Sequence, residues 1–269
     1  MMLIRAGLWG SFALLLFSCE RSLQSCLDAQ PCLGPAAGAR DWLALGIAAG
    51  RFLAASVGSA WVLRTAWLAF RHMHAVNRLP LTTPPDHLRS MAEAVGIRRL
   101  RFIDEDVTAA CCAGILRPSV YISRDLLTKL SQLELRAVLI HEMEHARGFE
   151  PLRRAAWRGA AEIGFFVPLL GWARVRDVER GELRADRRAI KAVGAQPVAS
   201  ALWTLGSELA LTGIAGFSGT MDLRVSQLAG DALPRRLPQP DLLLSSVLGT
   251  AFALALVGCI AEIAGLALG

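Results

Sequence analysis

The most constraining feature of this sequence is the pentapeptide His141-Glu142-Met143-Glu144-His145. Residues four apart lie on the same face of an α-helix, so His141 and His145 would point in one direction. Two imidazoles at this spacing can bind one zinc ion, and Glu142 could accept a proton from a water molecule that the ion polarises. The chain must therefore form a helix here and bring a third ligand to it from elsewhere.

The residues around the pentapeptide favour that helix. Ser131 and Glu134 have the spacing of a capping box, in which each side chain bonds the other residue's backbone amide. Gly148 suits the C-terminal end of the helix. Apolar residues recur between these limits on one face, at Leu135, Val138, Leu139 and Met143. Glu144 lies off the side of the helix that carries His141 and His145, so we expect it to be a solvated carboxylate.

A third ligand is predicted downstream. The sequence does not match the metzincin pattern of three histidine ligands, since Pro151 occupies the position of the last histidine. The segment 178–186 offers Glu182 as a carboxylate ligand, and Asp186, one helical turn later, as the acceptor of the outer N–H of a zinc-bound histidine. Glu179 is a rival ligand, but it has no aspartate at the same helical offset. The other histidines are expected at the surface or the membrane interface, at His72, His74 and His87.

Three segments in this order resemble the membrane-embedded gluzincin metallopeptidases: 112–123, 134–142 and 182–186. The similarity is greatest to the β-lactam-sensor antirepressor branch, and more distant to the heat-shock and CAAX-prenyl membrane proteases. It covers roughly residues 75–230. The resemblance implies zinc on His141, His145 and Glu182, with Glu142 as general base and Asp186 as a partner of a zinc ligand. The sensor relatives carry a large extracytoplasmic penicillin-binding domain for which this chain has no room, so direct β-lactam sensing is not expected.

The composition indicates membrane segments. Hydrophobic residues make up 54% of the chain, and the mean hydropathy is +0.41. We predict a membrane anchor or signal segment over 1–19, an extracytoplasmic loop over 20–41, and transmembrane helices over 42–70 and 242–269. Arginines follow the first of these helices, which places a zinc peptidase domain over 71–241 on the cytoplasmic side.

The net charge of +6 comes almost wholly from arginine. The arginines are scattered among apolar helices, which favours anionic membrane lipids over nucleic acid as the partner. Two further hypotheses concern the membrane part: Arg51 and Glu262 either pair across the bundle or reach the headgroups separately. Cys26 and Cys32 would form a disulfide if their loop is extracytoplasmic.

The apolar stretch within 152–175 is not expected to cross the bilayer, because His145 and Glu182 must meet at one metal on one side. Arginines flank it at both ends, which fits a segment that enters the inner leaflet and returns. We predict a re-entrant or interfacial hairpin that turns at 168–171.

A small sheet is predicted from strands at 100–103, 110–113 and 119–122, beside helices at 85–96, 197–212 and 223–228. Ser123 should cap a short helix that ends at Leu130. A sheet edge next to the zinc helix would let an extended peptide add as a strand, with Ala113 and Gly114 as candidate substrate contacts. Arg224 either faces the substrate carbonyl or lies at the surface. The neighbouring cysteines, Cys111 and Cys112, are expected to pack as small apolar groups in a reducing compartment.

Together these observations predict a mainly α-helical membrane protein with a small α+β zincin domain of the gluzincin type. We expect two to three transmembrane helices and location in a bacterial cytoplasmic membrane. The predicted function is a zinc metalloendopeptidase that acts on a protein or peptide, either a repressor or a membrane protein under quality control. The alternatives are a non-proteolytic zinc-containing signalling or binding protein and a membrane scaffold without metal. The sequence leaves the substrate, the activating signal and the oligomeric state open.

Overall fold

A computed structural model describes residues 39–105, 107–211, 218–234 and 236–268. The anchor or signal segment and the Cys26–Cys32 disulfide lie outside these residues, as does the side chain of Glu262. The chain forms two compact units. Among the described residues, one unit consists of those within 39–64, 159–171 and 238–268, and the other of those within 65–158 and 172–237.

The structure is mostly helical with one small sheet. The described helices are α1 (Ala39–Val76), α2 (Asp86–Ala94), α3 (Arg124–Lys129), α4 (Gln132–Arg147), α5 (Glu150–Ile163), α6 (Pro168–Val193), α7 (Ala195–Leu211), α8 (Ser218–Ala229) and α9 (Pro240–Leu268). The strands are β1 (Leu81–Thr82), β2 (Leu100–Ile103), β3 (Ala110–Ala113) and β4 (Ser119–Ser123). The three predicted strands and the helices predicted beside them are therefore confirmed.

The sheet has the order β1-β2-β4-β3. Strands β2 and β4 are parallel, and the outer strands pair antiparallel with them. The short strand β1 lies in a proline-rich segment and is not among the predicted strands. Strand β3 is an edge strand that packs against α4. The main core lies between the sheet and α4, where Leu88, Ile122, Leu126 and Leu139 are fully buried.

Helix α4 begins with the predicted capping box. The Ser131 hydroxyl accepts a hydrogen bond from the Glu134 amide at 3.4 Å, and the Glu134 carboxylate accepts one from the Ser131 amide at 2.7 Å. The helix ends at Arg147, followed by Gly148 with φ −77°, so the left-handed residue is not this glycine. It is Phe149, with φ 47°, and α5 begins directly after it.

Ser123 does not cap α3 as predicted. It precedes the helix, but its side chain makes no capping hydrogen bond. Its hydroxyl instead accepts a hydrogen bond from the amide of Ala109 at 3.0 Å. Ser123 is fully buried, so this bond ties the segment before β3 to the end of β4.

Two of the described helices contain segments long and apolar enough to cross a membrane, at Gly50–Val76 and Pro240–Val257. Many of their apolar side chains are exposed, such as Phe252 at 70%. These two candidate spans suggest membrane association.

Helices α5 and α6 are joined by a turn at 164–167, so the predicted hairpin turns a few residues before 168–171, and Pro168 already begins α6. Its tip packs within the first unit. Glu162 accepts a hydrogen bond from the Arg64 guanidinium at 2.6 Å, and the Leu169 amide donates to the Ser246 hydroxyl at 3.0 Å.

Candidate metal centre

Two helices of the second unit bring the three predicted ligands together. The Nε2 atoms of His141 and His145, one turn apart on α4, lie 2.9 Å apart. Glu182 of α6 places Oε2 at 3.4 Å from Nε2 of His141 and Oε1 at 3.8 Å from Nε2 of His145. One donor atom from each residue lies within 4.8 Å of the others, so this group could hold a metal ion.

Buried carboxylates hold the opposite nitrogen of each imidazole. Oδ1 of Asp186, which is fully buried, lies 2.8 Å from Nδ1 of His141. Glu150, which is 2% exposed, hydrogen-bonds Nδ1 of His145. When each Nδ1–H donates to its carboxylate, each Nε2 is left with a free lone pair that faces the other. Two lone pairs at this distance repel each other unless a proton or a cation lies between them.

The donor set fits zinc. Two imidazole nitrogens and one carboxylate are a usual ligand set of catalytic zinc sites, which keep one position open. Bonds of 2.0–2.1 Å in tetrahedral geometry place donor atoms about 3.3 Å apart. The separations of 2.9, 3.4 and 3.8 Å between donors bracket that value. Small side-chain shifts would therefore complete the coordination.

The electrostatics of the site favour a cation. Burial alone lowers the pKa of His141, but hydrogen bonds with Asp186 and Glu182 outweigh burial and raise that pKa to about 9. Burial raises the pKa of the Glu182 and Asp186 carboxyls, yet the hydrogen bonds with His141 hold both pKa values below their usual range. The site therefore stabilises one positive charge between two carboxylates.

Arg224 is part of this site, so the prediction that it lies at the surface is wrong. It is 6% exposed and binds Asp186 with two hydrogen bonds, from Nε at 2.7 Å and from Nη2 at 2.8 Å. Its Nη1 lies 3.3 Å from Oε2 of Glu182. Because Asp186 also accepts from His141, α8 helps to fix the ring of a candidate ligand.

Glu150 and Arg154 complete the site and were missed in the sequence. Arg154 donates to Oε1 of Glu150 and to Oε1 of Glu182, each at 2.7 Å. Glu150 also packs on Gly181, where an added Cβ would lie 3.0 Å from Oε1 of Glu150. Pro151 was the available signal, since proline is common in the first turn of a helix and indicates that α5 begins here.

Several of the arginines that flank the hairpin are paired with acidic side chains. Arg153 donates to Asp177 at 2.8 Å, and Arg176 to Glu179. Glu179, which is 4% exposed, thus has its own partner and is not among the three donors. Glu144 is not solvated as expected, because it pairs with Arg184 at 3.2 Å.

The three donors and Glu142 line a cavity of about 570 Å³ in the second unit. One wall is formed by 108–112 and another by apolar residues of α7, namely Val198, Ala201, Leu202 and Leu205. Ala113 and Gly114 were predicted as substrate contacts but do not line this cavity, and Ala113 packs into the sheet at 1% exposure. Their contact with a substrate stays a prediction.

The neighbouring cysteines face this cavity. Cys111 is exposed, Cys112 is half-buried, and both are free thiols. Burial and the nearby Glu142 carboxylate raise the pKa of Cys112 to about 12, which keeps it a neutral thiol. His72 also lines the cavity but is exposed, as are His74 and His87, and none of the three is in the donor group.

Comparison with known proteins agrees with this geometry. No curated protein sequence matches the chain significantly. The model of peptidase family M48 matches residues 86–210, a range that contains β2–β4, α4 and the three candidate ligands. This match supports a metallopeptidase of the zincin type.

Proposed function

We propose that the protein is a membrane-bound zinc metalloendopeptidase. The observation that carries this proposal is the meeting of His141, His145 and Glu182 at one point, with Glu142 beside them in an open cavity. The match of residues 86–210 to peptidase family M48 supports the reaction class, since peptidases hydrolyse peptide bonds. Zinc would supply Lewis-acid polarisation of a water molecule and of the scissile carbonyl.

The protein's own residues would move the proton and hold the ligands. Glu142 would accept a proton from the attacking water and return it to the leaving amine. Asp186 and Glu150 would fix the two imidazoles with Nε2 toward the ion, and Arg224 would orient Asp186 in turn. A site that only stores zinc needs no carboxylate at position 142, which favours catalysis over a purely structural role.

We further propose that the peptidase is anchored in a bacterial cytoplasmic membrane, through helices at 42–70 and 242–269. The exposed apolar side chains of α1 and α9 support this placement. By the positive-inside rule, the arginines after the first span support a cytoplasmic location for the domain of residues 71–241. Contacts of the α5–α6 tip with Arg64 and Ser246 support a hairpin that enters the inner leaflet.

The substrate is proposed to be a protein segment in extended conformation. Strand β3 is the last strand of the sheet and lines the cavity, so its outer edge can pair with a peptide backbone. The resemblance to the β-lactam-sensor antirepressors favours a cytoplasmic repressor as the substrate. Membrane-protein quality control, as in the heat-shock relatives, is the competing assignment.

A single substitution tests the catalytic role. Glu142→Gln should retain one zinc per chain while peptide cleavage falls by about 10²–10⁴-fold, because the amide cannot accept the proton. Zinc content is measured by elemental analysis and cleavage on a fluorogenic peptide library. Glu144→Gln is the matched control, with the same chemical change two residues away and cleavage unchanged. Full cleavage by Glu142→Gln would refute the assignment, and wild-type protein that holds zinc but cleaves nothing would favour the non-proteolytic alternative.

A further inference from the structure

A second, smaller cavity lies on the other side of α4. It has a volume of about 250 Å³ and lies between α4, α6 and the end of α2, all in the second unit. Ala94, Val95, Ile140, Met143 and Ala192 give it an apolar lining. Ile140 and Met143 are almost fully buried, so this floor is a fixed part of the core.

Three cationic side chains complete the lining of this cavity. Arg136 comes from α4, and Arg188 and Lys191 come from α6. No carboxylate lines the cavity, and none of the three cations has an ion-pair partner within the described part of the chain. Three like charges around one small cavity repel each other, and a bound anion relieves that repulsion.

Several arginines of neighbouring helices pair with acidic residues, as Arg153 does with Asp177, Arg184 with Glu144 and Arg224 with Asp186. The three cations of the cavity are exposed, and what distinguishes them is that they share one concave surface that no carboxylate lines. A compact group with two negative charges and several acceptor oxygens matches that surface, and the apolar floor accommodates the carbon atoms attached to it.

We propose that this cavity binds a phosphate group, carried either by a small soluble molecule or by a phospholipid headgroup. Arg136 would donate from one helix and Arg188 and Lys191 from the other, so the phosphate would bridge α4 and α6. These two helices carry all three candidate metal ligands on their other faces. The binding claim itself depends on neither the metal nor proteolysis.

The test measures thermal stabilisation of the full chain in a neutral detergent at constant ionic strength. The probes are inorganic phosphate and, below its critical micelle concentration, dihexanoyl phosphatidylglycerol, with dihexanoyl phosphatidylcholine as the zwitterionic comparison. Phosphate or phosphatidylglycerol should raise Tm in a saturable way. Arg136→Gln and Lys191→Gln should each weaken the binding by about tenfold, as expected for the loss of one charged hydrogen-bonding partner.

Arg187→Gln is the matched control, because Arg187 is an exposed neighbour on α6 that does not line the cavity. It should bind like the wild type. Saturable stabilisation by inorganic phosphate supports a general phosphate site, and stabilisation by phosphatidylglycerol alone supports a headgroup site. The proposal is overturned if neither probe stabilises the protein, or if Arg136→Gln and Lys191→Gln keep the full effect, which would place the anion elsewhere, such as on the metal centre.

Discussion

Replacing Glu150 tests whether the acid beneath His145 controls metal binding. Its side chain accepts from Nδ1 of His145 through one oxygen and from Arg154 through the other, and it is 3% exposed. A glutamine can accept through only one of these two atoms. Because the Arg154 side chain is 47% exposed, Arg154 can turn to water, and the glutamine oxygen can stay on His145.

Glu150→Gln should therefore lose the charge of one hydrogen bond to the candidate ligand, which is worth about 1.5 kcal/mol or about tenfold in zinc affinity. Glu150→Ala leaves the Nδ1–H of His145 buried without an acceptor, so its loss should approach the hundredfold upper range for partners of metal ligands. The measurement is a competition titration of the detergent-solubilised full chain with a chromophoric zinc chelator.

Glu144→Gln again provides the matched control, since Glu144 pairs with Arg184 and contacts none of the three donors. Its zinc affinity should equal that of the wild type. If both substitutions of Glu150 leave the zinc affinity within twofold of the wild type, the carboxylate does not orient His145, and the assigned role is wrong.

Two more predictions concern the same network. Gly181→Ala should weaken zinc binding about as much as Glu150→Gln does, because the new Cβ would lie 3.0 Å from the Glu150 carboxylate and displace it. Gly171→Ala is the control and should leave zinc binding unchanged, because the space around its Cβ is open. Equal zinc affinities of the two variants would contradict this prediction. The metal-free protein should lose stability as the pH rises. The folded-state pKa of His141 is raised from 6.5 to about 9, so its contribution is complete below 6.5 and disappears toward pH 9. Tm of chelator-treated protein from pH 6 to 9.5 should fall, and a flat or rising profile would exclude a charged His141.

The sequence predicted the parts of the site that lie on one helix. The spacing of His141 and His145, and that of Glu182 and Asp186, follow from the helical repeat. The capping box at Ser131 likewise depends only on local residues. Helix α4 and the edge strand were predictable for the same reason, since their patterns are contained in short segments of the chain.

Contacts between elements were not predictable in this way. Glu150 hydrogen-bonds His145 from the first residue of α5, directly after Phe149, which takes a left-handed conformation between the two helices. No residue pattern demands that conformation in a phenylalanine. Arg224 reaches Asp186 from a helix that begins more than thirty residues later. Its burial depends on how α8 packs against the rest of the unit. From the sequence alone, a single arginine in a short helix indicated a surface position.

The sum of the charges around the three donors explains why this site suits a cation. Glu150, Glu182 and Asp186 all have pKa values below their usual range, so each is ionised at neutral pH. Arg154 and Arg224 contribute two positive charges to the same set of contacts. With neutral imidazoles, three negative and two positive charges leave this network at −1, and the nearby Glu142 makes the cavity more negative still. A proton shared by the imidazoles relieves part of that charge in the metal-free protein, and a divalent ion at the same point relieves more of it.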